Sequence, residues 1–417
     1  MLELAQDELK NLGKVWLLIF VSLSYCYIIG KIIPKGFTRL VAILPVIILF
    51  LNLPLNLTSI HFCGFTSFFI SWLANFKLLL FAFGKPPLCL DSPISFPLFL
   101  VVSCLPIKIQ HPPSSKNSPK EENKDNPDHK SLNNSYASTK NSHILENNHD
   151  PVHKSLNNSY PSTKNSKILK NSHDPDHKFQ NKSYPNPQIL QSSQKLPWNY
   201  VIKTVLLALM IKIYDYSDDL HPKILWSLYF LHIYFSLEIV LAIVAKSANF
   251  FLGLELEPQF NEPLLSTSIQ DFWGKRWNLM VTGILRPTVY LPTQEYFTKI
   301  IGRKTALLPA VMATFVVSAL MHELIFYYLG REEPTFEVTW FFLLHGFCLC
   351  VEIAVKKYGR ERKWWVPPRW LSGPLTVLFV VGTGFWLFLP PLLNAGLETR
   401  GLGEYAVIGG FIKRVLE

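Results

Sequence analysis

Apolar residues run in long unbroken stretches along most of this chain, and polar residues collect between them. The stretches are Val15–Ile33, Phe37–Leu53, Phe68–Phe83, Pro93–Ile107, Trp198–Tyr214, Ile224–Leu252, Thr305–Leu329, Thr339–Val355 and Leu371–Leu393. Most approach the roughly 20 residues that a helix needs to cross a bilayer. The pattern predicts an all-α fold, a polytopic membrane bundle of about eight or nine transmembrane helices. Two stretches are compromised. Phe68–Phe83 contains Asn75 and Lys77, and Pro93–Ile107 contains Pro93, Pro97 and Pro106, so either can be re-entrant or interfacial. Val15–Ile33 follows a mixed-charge start (Glu3, Asp7, Glu8, Lys10, Lys14) and has no small-residue cleavage site after it. It reads as a retained first span.

Residues 110–195 are a different material, rich in Asn, Ser, Lys, His and Pro. The text His129-Lys-Ser-Leu-Asn-Asn-Ser-Tyr returns at His153, and a degraded copy starts at His177, so the period is 24 residues. Each unit has too few apolar residues to stack into a solenoid, and a duplicated disordered loop is expected. Seven of the 12 histidines fall here, with the sequons at Asn133, Asn157 and Asn181. The chain is therefore expected to divide into N-terminal transmembrane helices (1–109), a disordered repeat-bearing loop (110–195) and a second transmembrane region (196–417), which holds the candidate chemistry.

Composition agrees with the membrane reading: 49% of residues are hydrophobic and 17% charged, against nearer 25% charged in soluble domains. The net charge of +10 is scattered between apolar runs, so no nucleic-acid face is expected. Lys and Arg flanking spans account for it. The dense basic run from Lys356 to Arg369 is expected to face the cytosol, as is the loop with Lys31, Lys35 and Arg39. The six cysteines contain no CxxC pair and read as small buried hydrophobes.

Against this background His322 stands out, in Ser318-Ala-Leu-Met-His-Glu-Leu within an apolar run. An ionisable side chain there is costly and reads as functional by default. A neutral imidazole can accept a proton from an alcohol as a general base. A packing role is the alternative, and position alone does not separate the two. A second unusual patch, Asp271-Phe-Trp-Gly-Lys-Arg-Trp-Asn278, ends 44 positions before His322. Trp273 and Trp277 suit a membrane interface. Lys275 and Arg276 could meet the phosphates of lipid headgroups or of a coenzyme. Asn278 offers both a donor and an acceptor. An interfacial anchor is the plainer reading of the patch. His345 and Glu352, seven apart, share a helix face and are expected to pair.

The aromatic patch followed by Ser-Ala-Leu-Met-His-Glu in an apolar helix resembles the membrane-bound O-acyltransferase superfamily. Residues 64–83, Leu105-Pro-Ile-Lys-Ile109 and Trp340-Phe-Phe-Leu-Leu-His-Gly346 are similar to its plant wax-synthase branch, and plant sterol acyltransferases are similar in the same regions. The resemblance covers nearly the whole chain apart from the repeat insert. It implies acyl-CoA as co-substrate with no further cofactor and no metal. It also implies a long-chain alcohol or sterol acceptor and a multi-pass protein of the endoplasmic reticulum membrane. The catalytic histidine carries onto His322 and the second signature position onto Asn278. Trp273, Lys275, Arg276 and Trp277 are then expected to bind substrate. No feature of the sequence specifies an oligomer. A transporter with His322, Glu238, His345 and Glu352 lining a polar path is the rival from another class, although its usual repeat of membrane segments is not seen.

Overall fold

The computed structural model describes residues 2–89, 94–105, 197–252, 259–362 and 367–416. The repeats and their sequons lie outside the described residues. Everything that is described in regular form is helical: α1 (Leu2–Ile32), α2 (Phe37–Asn52), α3 (Ile60–Ala82), α4 (Phe96–Cys104), α5 (Pro197–Ile213), α6 (Pro222–Leu252), α7 (Leu279–Leu285), α8 (Leu291–Ile301), α9 (Leu307–Gly330), α10 (Glu337–Glu361), α11 (Arg369–Asn394) and α12 (Leu397–Leu416). Among the described residues seven helices are long and apolar enough to cross a membrane: α1, α2, α3, α6, α9, α10 and α11. This is a multi-pass helical membrane protein.

Two of the nine apolar stretches take another form. The proline-rich one yields only the nine-residue α4, which rises about 14 Å and covers half a bilayer core. Lys77 explains how so short a helix is held. Its side chain is fully buried, and Nζ donates to the carbonyls of Val102 and Leu105 at 2.5 Å each. Those are the orphan acceptors at the end of α4. Trp198–Tyr214 becomes the 17-residue α5, tied to α6 by the buried Lys203–Glu238 pair at 2.8 Å.

The cysteines are free thiols, with Cys26, Cys63 and Cys104 buried. Buried Arg39 donates to the carbonyls of Gly30 and Ile33 and so closes the end of α1, while also reaching Phe81 O.

Helices from both sides of the repeat segment pack together. Cys63 Sγ on α3 donates to Tyr328 O on α9, and the Tyr328 hydroxyl donates to Leu51 O on α2. α9 and α10 form an antiparallel hairpin. A Cβ at Gly346 would come within 2.9 Å of the Phe315 side chain, so glycine lets these two helices approach closely.

Candidate active site

His322 lies on α9 with its ring packed among three others. Trp72 from α3 stands edge-on at 5.0 Å, Phe342 from α10 lies at 4.3 Å, and Phe388 from α11 stands at 6.0 Å. Nδ1 is 2.7 Å from the carbonyl of Ser318, one turn back. A carbonyl only accepts, so Nδ1 carries the proton and Nε2 presents a lone pair. Nε2 has no hydrogen-bond partner among the described residues, and the side chain remains partly accessible. The local sequence thus delivers a half-buried imidazole in the tautomer that can receive a proton.

Glu323, next along, does different work. Its Oε1 accepts from the backbone N–H and the hydroxyl of Thr339, both at 2.9 Å, and satisfies the first turn of α10.

The aromatic patch folds as a short helical turn, Ile269–Asp271, followed by a π turn, Phe272–Arg276. It ends on Asn278, whose backbone is left-handed (φ 39°). Asparagine tolerates that region better than most residues. There it caps α7, with Oδ1 accepting from Val281 N–H at 3.3 Å. The cap uses the amide oxygen. The Nδ2 donors have no partner among the described residues.

The other expected site residues separate clearly. Arg276 is engaged inside the protein: Nε donates to Asp271 at 2.7 Å, and Nη1 to the carbonyls of Asn261 and Glu262. Lys275 is exposed and has no ion pair or hydrogen bond among the described residues. Trp277 stacks on Phe272 (5.4 Å) and packs on Phe260 and Tyr234. Trp273 turns inward, 5.9 Å from Phe342 and 5.6 Å from Phe315.

No hydrogen bond or ring contact joins Asn278 to His322. The link between them runs through Trp273 and Phe342. His345 and Glu352 share a face of α10, as their spacing says, yet they do not pair. His345 bonds Trp273 and Thr383, and Glu352 accepts from Ile269 N–H and Lys356. Glu238 is held by Lys203. Glu238, His345 and Glu352, which the transporter reading puts along one path with His322, are therefore each engaged by separate local partners.

Three ring contacts escaped sequence reasoning: Trp72, Phe342 and Phe388. Each sits in an apolar run rich in aromatics, and nothing in one sequence tells which ring meets a histidine on another helix.

Beyond α9 lies an open pocket of about 390 Å³, lined by Glu323, Phe326, Glu332, Glu333, Thr335 and Asn394. It opens at the opposite end of the bundle from the basic residues Lys356, Lys357, Arg360 and Arg369, which sit at the far ends of α10 and α11.

The fold and site together describe a multi-pass membrane protein with an accepting imidazole among apolar walls. The profile described as "Membrane bound O-acyl transferase family" matches residues 256–344, a range that includes both Asn278 and His322. The chain is 41% identical over 403 residues, 96% of both chains, to acyl-CoA–sterol O-acyltransferase 1 of Arabidopsis thaliana. It is 38% identical over 404 residues, 97% of both chains, to probable long-chain-alcohol O-fatty-acyltransferase 1 of the same plant. The long-chain-alcohol O-fatty-acyltransferase of Simmondsia chinensis is 36% identical over 414 residues, covering 99% of this chain and 97% of the relative. The chain belongs to the membrane bound O-acyl transferase family, and it is an O-acyltransferase.

Proposed function

We propose that the protein transfers an acyl group from acyl-CoA to the hydroxyl of a long-chain fatty alcohol, giving a wax ester in the endoplasmic reticulum membrane. The observation that carries this reading is the 2.7 Å contact of His322 Nδ1 with the Ser318 carbonyl, which leaves Nε2 as the basic atom. In the reaction Nε2 takes the hydroxyl proton while the alcohol oxygen attacks the thioester carbonyl. Asn278 Nδ2 donates to the oxyanion that develops, a contact worth roughly 3 kcal/mol. The C–S bond then breaks, and the CoA thiolate leaves with the proton held by His322. No covalent acyl-enzyme, metal or redox cofactor enters this balance.

Charge favours a direction for each substrate. The pocket beside Glu323, Glu332 and Glu333 repels the CoA phosphates. A neutral alcohol suffers no such penalty. Acyl-CoA suits the opposite, basic end of the bundle, and Lys275 is an exposed cation of the aromatic segment with no partner among the described residues. The rings crowding His322 at 4.3–6.0 Å favour a linear chain over a fused ring system.

A sterol acceptor is the second reading, favoured by the 41% identity to a protein named for that substrate. Expression in yeast lacking neutral-lipid synthesis, with labelled acyl-CoA and either a fatty alcohol or a sterol given to the microsomes, separates the two. Wax ester as the main product supports the first reading and steryl ester the second. Neither ester would overturn both.

A further inference from the structure

His345 is the most enclosed titratable group of α10, with no exposed surface. Its ring is held between Phe341 at 4.2 Å and Phe379 at 4.9 Å. Both ring nitrogens are engaged. Trp273 Nε1–H donates to Nδ1 at 3.0 Å, and Nε2 lies 2.8 Å from the hydroxyl of Thr383. That hydroxyl already directs its hydrogen to Phe379 O at 2.7 Å. Nε2 therefore carries the proton and Nδ1 the lone pair, the reverse of His322. A ring so placed has no basic atom left for a substrate.

What His345 grips is the segment that ends in Asn278. One turn before Trp273, the backbone N–H groups of Ile269 and Gln270 are bound by Glu352, at 2.8 and 3.3 Å. Glu352 and His345 lie seven apart on α10 and reach the same short segment at two points. From Trp273 the hold passes in two directions. Its carbonyl accepts from Thr282 at 3.3 Å, on the helix that Asn278 caps. Its indole packs on Phe342, which lies against His322.

We propose that His345 is a positioning residue that clamps Trp273 and thereby sets Asn278 in register with His322. This rests on the reading that Asn278 and His322 act on one substrate. Registration of this kind matters because a misplacement of about 1 Å can cost on the order of 100-fold in rate.

The test uses the full chain in lipid nanodiscs and two readouts, ester formation and amide hydrogen exchange of peptides covering residues 269–278. His345→Leu removes both bonds, and Trp273→Phe removes only the indole donor. Each should lower kcat by about tenfold or more, leave KM for acyl-CoA within about threefold, and speed exchange of the segment by about tenfold. The double variant should be no worse than about twofold below the weaker single one, as expected for residues acting as one unit. His345→Asn places an acceptor oxygen where Nδ1 stands and should restore both readouts to within about threefold of the parent.

Loss of activity in His345→Leu with unchanged exchange would overturn the proposal. So would multiplicative losses in the double variant, or no rescue by asparagine. If His345→Leu does not fold, Trp273→Phe and Thr383→Val carry the same comparison. If the parent forms no ester while exchange responds as stated, the clamp stands and the reading of Asn278 and His322 as one site falls.

Discussion

Asn278 caps α7 through its oxygen: Oδ1 accepts from Val281 N–H at 3.3 Å, and the amide nitrogen has no partner among the described residues. The cap takes the amide oxygen and the proposed oxyanion contact takes the amide nitrogen, so substitution can separate them. Asn278→Asp keeps a good capping oxygen and should retain stability within about 0.5 kcal/mol. It loses the N–H donors, so kcat should fall on the order of 100- to 1,000-fold. Asn278→Ala loses the cap as well and should cost about 1 kcal/mol in unfolding free energy. Rates beside thermal melts in detergent check the pair. An aspartate variant of full activity would remove Asn278 from the chemistry.

Lys275 and Arg276 are neighbours in different surroundings. Lys275 is exposed, while Arg276 is bonded to Asp271, Asn261 and Glu262. Lys275→Ala should raise KM for acyl-CoA by about three- to tenfold and flatten its dependence on salt. Arg276→Ala should destabilise the fold by about 1–3 kcal/mol, because it strips a charge-assisted bond from a partly buried carboxylate. KM measured across a salt series, with a melt of each variant, distinguishes them.

Glu404 joins α12 to α3. It accepts from the Ile60 N–H at 2.6 Å, from the Ser59 hydroxyl at 2.9 Å and from His61 Nδ1 at 2.6 Å. Burial works against its charge, but the hydrogen bonds from His61, Ile60 and Ser59 outweigh it and hold the carboxyl below its ordinary value. A carboxylate whose folded pKa is depressed stabilises the fold fully above the unfolded value, and this is lost as pH falls through the folded one. Melting temperature should therefore drop with acidity below about pH 4.5. Glu404→Gln should melt lower at pH 7 and lose that part of the acid dependence. An acid profile identical to the parent's would show that Glu404 does not contribute.

Much of the architecture was legible because bilayer spans need only length and apolarity. The seven long helices coincide with seven apolar runs of the sequence, and the prolines of Pro93–Ile107 marked one of the two runs that yield only a short helix. His322 was legible for a similar reason, as an ionisable group in apolar text. Its surroundings were not. Trp72 lies 250 positions away, on the far side of the repeat segment, and reaches His322 only through tertiary packing. The expected pairing of His345 with Glu352 failed because shared helix phase says which direction two side chains point, not which partner waits there. The bonds of Arg276 to the loop carbonyls of Asn261 and Glu262 were likewise not legible, because they depend on how the preceding loop folds back.

The central claim is that His322, whose Nδ1–H donates to the Ser318 carbonyl, serves as the base through Nε2. Its most direct test is the initial rate of ester formation by His322→Ala, purified with acyl-CoA and the acceptor that the parent esterifies, in protein whose melt matches the parent's. A fall of about 100- to 10,000-fold is predicted. A rate within about threefold of the parent would place the proton acceptor on another group and contradict the account.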